Sequence, residues 1–120
     1  MQFKTLVRQE HLNQYGNLFG GYMLLWVDEF AYLAAIEDYP CVSFVTRAME
    51  AASFTQSVKL GSVLTFTVTR KRIGTTSVTY DVNVTARDVS SREPYQAFHT
   101  SVTLCAVTKD GRKMPLPTSN

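Results

Sequence analysis

The chain has 120 residues, 45% of them hydrophobic, with twelve basic and ten acidic residues and a formal net charge of +2. This length predicts a single domain over residues 1–120 and leaves no room for a second domain of ordinary size. The basic residues do not form the dense Lys/Arg clusters of nucleic-acid-binding surfaces. We therefore expect no nucleic-acid partner.

The N-terminal residues lack the long apolar region and the small-residue cleavage site of a secretory signal. The apolar stretch at 20–36 is interrupted by Asp28 and Glu29. It is also shorter than the roughly 20 apolar residues that a membrane-spanning helix needs. These features predict a cytoplasmic protein that has no membrane partner.

The two cysteines, Cys41 and Cys105, lie in apolar segments without CxxC or Cys/His ligand spacing. A free thiol in such a segment behaves mainly as a small hydrophobic side chain. The pattern predicts two buried, reduced thiols, and it predicts neither a disulfide nor a metal site.

The first half of the chain predicts a short strand, a polar loop and one helix. Apolar and polar residues alternate from Phe3 to Val7, and the loop follows over residues 9–17. The helix is expected to begin at Gly20-Gly21 and to end around residues 37–40, where Pro40 stops it.

The second half predicts four strands. Their segments alternate apolar and polar residues or are rich in Val and Phe, and they cover about 41–54, 63–70, 78–85 and 95–107. In the third of them, Val78, Tyr80, Val82 and Val84 form one face, which is typical of a half-buried antiparallel strand. The last residues, about 113–120, are expected to form a flexible tail.

These elements predict an α+β fold in which an antiparallel sheet, in the order β-α-β-β-β-β, wraps one long buried helix. The helix sequence is apolar almost all the way round. One curved sheet cannot cover every side of such a helix, so a second copy of the chain is needed to cover the rest. The sequence therefore predicts a homo-oligomer.

Asp28 is the strongest candidate for chemistry. An ionisable group at the centre of an apolar helix costs several kcal/mol to desolvate unless it is paired, neutralised or used. At helical spacing it shares a stripe with the small residues Gly21, Ala31 and Ala35, which permit close backbone approach. Asp28 is therefore expected to face a crowded seam.

Gly20 and Gly21 stand at the predicted helix start. The first N–H groups of a helix lack intrahelical partners and carry partial positive charge, so they are able to hold an oxyanion. Without side chains, both glycines leave these donors open to a ligand carbonyl. The alternative interpretation is that the glycines only permit tight helix packing.

The loop before the helix and the helix itself carry a motif. The chain contains the run Asn13-Gln14-Tyr15-Gly16-Asn17-Leu18-Phe19-Gly20-Gly21, followed by Asp28. This run and the carboxylate after it resemble the signature of hotdog-fold acyl-CoA thioesterases, in the branch of bacterial YciA and the cytosolic and brain acyl-CoA hydrolases. The similarity continues through residues 74–78 and ends near 110–117.

The resemblance implies a hydrolase that splits acyl-CoA into a free acid and coenzyme A and needs no cofactor or metal. It implies a hotdog dimer, often assembled into trimers of dimers, with the active site between two subunits. Asp28 matches the catalytic carboxylate, which acts as general base or as nucleophile. Asn13 matches an asparagine that comes from the opposite subunit, and the N–H of Gly21 is the expected oxyanion donor.

The coenzyme A part of the substrate carries phosphates, which favour cations and small hydrogen-bonding side chains. The candidates are Arg70, Lys71 and Arg72 beside the turn residues Thr75, Thr76 and Ser77. The alternative interpretation of the three cations is a solvated basic strand end.

Two other functions stay open at this stage. Hotdog hydratases and dehydratases use a His with an acidic partner, and His11 keeps that function possible. A non-catalytic module that senses acyl-CoA is the second alternative. Glu29 is expected to be a surface residue and His99 a structural one, whereas Glu50 is expected either to contact the site or to pair with a cation.

Overall fold

A computed structural model describes residues 1–117 of the chain. One α-helix and five strands form the fold, with a 3-10 turn at Gln9–His11 in the loop before the helix. The elements are β1 (Gln2–Leu6), α1 (Gly20–Asp38), β2 (Ser43–Phe54), β3 (Val63–Ile73), β4 (Ser77–Arg87) and β5 (Tyr95–Val107). This order confirms the predicted β-α-β-β-β-β arrangement.

The five strands form one antiparallel sheet in the order β1-β3-β4-β5-β2. Strand β4 shows the predicted alternation, because Val78, Tyr80, Val82 and Val84 are buried. The alternate residues of the strand face away from the core. The sheet packs its apolar face against α1, which confirms the predicted α+β architecture.

Helix α1 is covered on one side only. Its sheet-facing side chains are buried: Met23, Trp26, Val27, Phe30, Ala31, Ala34 and Ala35. The opposite side exposes large apolar side chains: Leu24, Leu25, Tyr32 and Leu33. The predicted stripe is therefore divided, since Ala31 and Ala35 pack on the sheet while Gly21 is exposed and Asp28 is half-buried.

Strand β2 lies at an edge of the sheet, paired with β5 alone. It is irregular, with register shifts after Thr46 and after Glu50. Ala51, which lies in the second irregularity, has a positive φ of 50°. An edge strand presents unpaired backbone groups on its open side, where another strand is able to pair.

Two expectations about the ends of elements need correction. Cys41 is exposed, whereas Cys105 is buried as predicted. Cys41 lies in the turn after α1 with a φ of 69°, outside the predicted strand, which begins at Ser43. The polar backbone of this turn reaches the surface and carries the thiol with it.

The predicted tail of residues 113–120 makes contacts with the sheet over its first residues. The N–H of Met114 donates to Ala106 O at 3.0 Å, and the N–H of Leu116 donates to Thr75 O at 2.9 Å. Both side chains pack against the core. Residues 118–120 of the predicted tail lie outside the described residues, and flexibility of the tail stays a prediction.

Candidate active site

Asp28 lies in the middle of α1 and faces the edge strand β2. Its Oδ1 accepts a hydrogen bond of 2.5 Å from Oγ1 of Thr46. Sequence analysis did not include Thr46 among the site residues. The sequence of β2 gives no signal that its one threonine meets the helix, so only the packing of α1 against β2 identifies the contact.

The start of α1 presents two open backbone donors. Phe19 is the residue before the helix, and its side chain makes no capping hydrogen bond. The N–H of Tyr22 donates to Phe19 O at 3.0 Å. Within residues 1–117, the N–H groups of Gly20 and Gly21 have no hydrogen-bond partner. Unpaired N–H groups at a helix start carry partial positive charge.

The packing around Gly21 also requires a residue without a side chain. A Cβ added at this residue would lie 2.5 Å from the Phe19 ring, which is closer than real side-chain contacts. The glycine therefore allows Phe19 to fold over the helix start. The geometry therefore agrees with both interpretations of the Gly20-Gly21 pair: the glycines permit close packing, and their backbone donors are open.

Asn13 shapes the loop that leads into the helix. Its Oδ1 accepts the N–H groups of Tyr15 and Asn17 at 2.9 and 3.1 Å, which is the geometry of an Asx turn. Its backbone N–H donates to Asn17 O at 2.7 Å. The carbonyl end of the side chain is thus occupied by the loop, and the NH₂ end is left to act as a donor.

A cavity of about 310 Å³ opens at the helix start. Asn13 and Gly20 line it together with the apolar side chains of Met23, Phe54 and Ala97. Asp28 is not among its lining residues. Asp28 lies eight residues beyond Gly20, about 12 Å along α1, so one subunit brings Asn13 to the helix start and not to Asp28.

The three predicted cations of β3 point to different places. Arg70 donates to the Tyr39 hydroxyl at 3.4 Å and lies 5.9 Å from the centre of that ring. Lys71 is the extra residue of a bulge, and its Nζ donates to Ser101 Oγ at 3.2 Å. Arg72 is exposed at the strand end, next to the turn with Thr75.

The predicted turn after β3 is present. The N–H of Gly74 donates to Ser77 O at 2.7 Å. The backbone carbonyl of Thr76 accepts the N–H of Ala106 in β5, and that of Thr75 accepts the N–H of Leu116 after β5. The side chain of Thr75 is exposed, whereas Thr76 and Ser77 are half-buried. The turn thus presents small hydroxyl side chains beside Arg72.

The two histidines occupy different environments. His11 Nδ1 accepts the backbone N–H of Arg8 at 2.9 Å, and the ring lies 4.8 Å from both Tyr22 and Trp26. His99 Nε2 lies 2.9 Å from Asp81 Oδ1. Since residues of β4 alternate and Val82 faces the core, Asp81 and His99 lie on the opposite face of the sheet from α1.

The acidic neighbours of the site are exposed. Glu29 follows Asp28 but lies about 100° further round the helix, and Glu50 is exposed on β2. Among residues 1–117, no group of three or more His, Cys, Asp or Glu side chains is arranged to hold a metal ion. No helix in the described part of the chain is long and apolar enough to cross a membrane.

Most of this site falls within a match to a known protein family. Residues 15–91 match the model of the thioesterase superfamily, and this range includes the open helix start, Asp28 and Thr46. The chain belongs to the thioesterase superfamily. The resemblance that the motif indicates is therefore confirmed.

Individual relatives agree with the superfamily match. The chain is 27% identical over 117 residues to the acyl-CoA thioester hydrolase YciA of Salmonella typhimurium, covering 95% of this chain and 87% of the relative. It is 28% identical over 98 residues to protein VdlD of Helicobacter pylori, covering 82% of this chain. The alignment spans 55% of the length of VdlD.

A solved structure confirms the fold. The hexameric hotdog fold thioesterase of Campylobacter jejuni superposes with a TM-score of 0.87 at 30% identity, covering 96% of this chain and 88% of that chain. The hotdog fold predicted from the motif is therefore confirmed. The roles of individual residues in this member of the thioesterase superfamily stay predictions.

Proposed function

We propose that this thioesterase hydrolyses acyl-CoA to a free acid and coenzyme A. The observation that carries the proposal is the half-buried Asp28, held through one oxygen by Thr46 of β2, together with the two open N–H groups at the start of α1. The relatives named as acyl-CoA thioester hydrolases support this substrate class.

In the proposed reaction, Asp28 acts on the thioester as general base or as nucleophile. As a base it takes a proton from water, and the water oxygen forms a bond to the carbonyl carbon. The N–H groups at the helix start stabilise the negative charge on the carbonyl oxygen. The C–S bond then breaks, and the departing thiolate of coenzyme A takes up the proton. No metal or cofactor enters these steps.

Asn13 is proposed to complete the site from a second subunit. The open edge of β2 supports this arrangement, because two copies are able to pair their β2 strands antiparallel about a two-fold axis. Such pairing places the Phe54 end of one strand beside the Thr46 end of the other. The loop with Asn13, which shares a cavity with Phe54, then approaches Asp28 of the partner subunit.

The exposed side of α1 supports the same assembly. Leu24, Leu25, Tyr32 and Leu33 form an apolar surface that one subunit leaves uncovered. A dimer is the smallest assembly that covers it and completes the site. The Campylobacter relative is hexameric, and a trimer of such dimers is our proposal for this chain.

For the coenzyme A phosphates we propose Arg72 with the turn at Thr75, Thr76 and Ser77. Arg72 is exposed beside the turn, whereas Arg70 and Lys71 already have partners within the subunit. Of the three predicted cations, this assignment keeps Arg72 as the main phosphate ligand. Arg70 and Lys71 contribute to the phosphate site only if they leave Tyr39 and Ser101.

The geometry gives less support to a hydratase. His11 is packed against two aromatic rings, and its Nδ1 accepts a backbone N–H. No carboxylate bonds to His11 among residues 1–117. The one His–Asp pair in that part of the chain, His99 with Asp81, lies on the sheet face away from α1.

Thiol release from a panel of acyl-CoA esters tests the proposal. We expect turnover by the wild type and a loss of about 100-fold or more in kcat for Asp28→Asn. Glu29→Gln is the matched control, since it removes the neighbouring carboxylate on an exposed part of the helix. Tight acyl-CoA binding without thiol release would favour the sensor instead.

A further inference from the structure

The cavity at the helix start has an apolar floor and a polar rim. Met23, Val58 and Ala97 line its floor and are almost completely buried. Asn13 and Gln56 lie among its polar lining. A ligand that fits this distribution has an apolar chain that ends in a polar group. An acyl thioester has that form.

We propose that this cavity holds the acyl group of the substrate and that Phe54 sets the length of acyl chain it accepts. The inference rests on the proposed function, because it identifies which acyl-CoA esters the enzyme selects. It adds a specificity-determining residue that the motif does not contain.

Phe54 closes one wall of the cavity. Its ring packs against Phe98 with ring centres 4.6 Å apart. A Cβ added at Gly20 would lie 3.3 Å from the Phe54 ring, so the ring lies directly over the helix start. Phe54 thereby bridges the end of β2 and the beginning of α1.

The Phe54 side chain is nevertheless 56% exposed. The core of one subunit therefore does not depend on this side chain. The ring has a free surface that is available to a ligand in the cavity. A larger or smaller side chain at this position changes the cavity wall while leaving the buried core in place.

The small size of the cavity in one subunit makes its walls a limit on the acyl chain that it accepts. Its volume of about 310 Å³ lies at the lower end of the range of about 300–1,000 Å³ for small-molecule sites. The antiparallel pairing of β2 proposed above places this cavity beside Asp28 of the partner subunit. An acyl chain in the cavity then presents its thioester carbon to that carboxylate.

A pair of opposite substitutions tests the inference. We expect Phe54→Ala to raise the ratio of kcat/KM for decanoyl-CoA to that for butyryl-CoA by about ten-fold or more, since each methylene group contributes about 10-fold or more to discrimination in an apolar pocket. Phe54→Trp should lower the same ratio. Val89→Ala, a fully exposed position on the loop after β4, is the matched control.

The possible outcomes separate this inference from the proposed function. Opposite shifts of the ratio, with unchanged inhibition by free coenzyme A, support the acyl pocket. Active, folded variants with unchanged ratios overturn it. The inference is also overturned if coenzyme A inhibits the variants more weakly and kcat/KM falls equally for every ester, because the cavity then holds the coenzyme. If the wild type releases no thiol from any ester, the proposed function itself fails.

Folding of the variants is checked by melting temperature and by molar mass in solution. If Phe54→Ala is unstable, Phe54→Trp decides the question, provided that its molar mass in solution equals that of the wild type. A loss of decanoyl-CoA turnover with retained butyryl-CoA turnover then supports the inference. Equal turnover of both esters overturns it.

Discussion

The hydroxyl of Thr46 donates a hydrogen bond to Oδ1 of Asp28 and joins the middle of α1 to the edge strand β2. The contact fixes the orientation of the carboxylate. Oδ2 of Asp28 has no hydrogen-bond partner within residues 1–117 and is thus open to water or substrate. A half-buried carboxylate held by one oxygen is suited to act through the other.

Removal of the Thr46 hydroxyl should therefore reduce kcat more than it changes KM. We expect a fall in kcat of about ten-fold or more for Thr46→Val, because a hydrogen bond to a charged group contributes about 1.5–3 kcal/mol. Thr46→Ser should restore most of the activity. Thr69→Val, at an exposed position on β3, is the control. Equal kcat values for wild type and Thr46→Val would show that Asp28 does not need this partner.

The two ends of the Asn13 side chain can be tested separately. Asn13→Asp keeps an oxygen that accepts the N–H groups of Tyr15 and Asn17, but it removes the NH₂ donor. We expect it to retain the melting temperature within about 2 °C and to lose about ten-fold or more in kcat. Asn13→Ala should lose both stability and activity. Full activity of a stable Asn13→Asp would exclude a catalytic donor role.

The order of elements was predictable because each has a strong local signal. Period-two alternation identifies β4 as a strand, and Pro40 marks the end of α1. The candidate carboxylate followed from the charge of Asp28 at the centre of an apolar helix. These signals depend only on neighbours in sequence.

The parts that sequence analysis missed depend on packing between elements. A helix that is apolar on every side carries no information about which side meets the sheet, so the division between Ala31 and Asp28 was not predictable. The partnership of Thr46 with Asp28 requires the placement of β2 beside α1. Ordinary alternation already places Arg70 and Lys71 on opposite faces of β3, but the bulge at Lys71 reverses the alternation after it, so that Arg72 pairs with Thr79.

The uncovered side of α1 predicts that assembly and activity are lost together. Leu25 is 55% exposed in one subunit, and Leu25→Lys places a charge where the proposed partner packs. We expect a smaller molar mass by light scattering and a loss of thiol release, because the site needs two subunits. Val89→Lys puts the same charge on an exposed loop and should change neither. An active monomer of Leu25→Lys would contradict the shared site.

Arg72 should act on the phosphates of coenzyme A and not on the acyl group. Arg72→Ala is expected to raise KM for an acyl-CoA several-fold, since a charge-assisted hydrogen bond to phosphate is lost. KM for the matching N-acetylcysteamine thioester, which has no phosphate, should not change. Arg112→Ala is the control, because Arg112 is exposed and lies 3.4 Å from Asp110. An equal rise in KM for both substrates would argue against phosphate recognition.

Tyr80 should make stability depend on alkaline pH. Burial and the 2.7 Å hydrogen bond to Asp38 Oδ2 raise the pKa of Tyr80 above its ordinary value of 10.0. The unfolded chain loses this proton at a lower pH than the folded protein does. Tyr80 therefore contributes its full stabilisation below about pH 10, and the free energy of unfolding falls as the pH rises above that value. In urea titrations, Tyr80→Phe should make the free energy of unfolding fall less steeply with pH. Some pH dependence should remain, because burial also raises the pKa of Tyr95. Identical slopes in the two proteins would contradict the assignment.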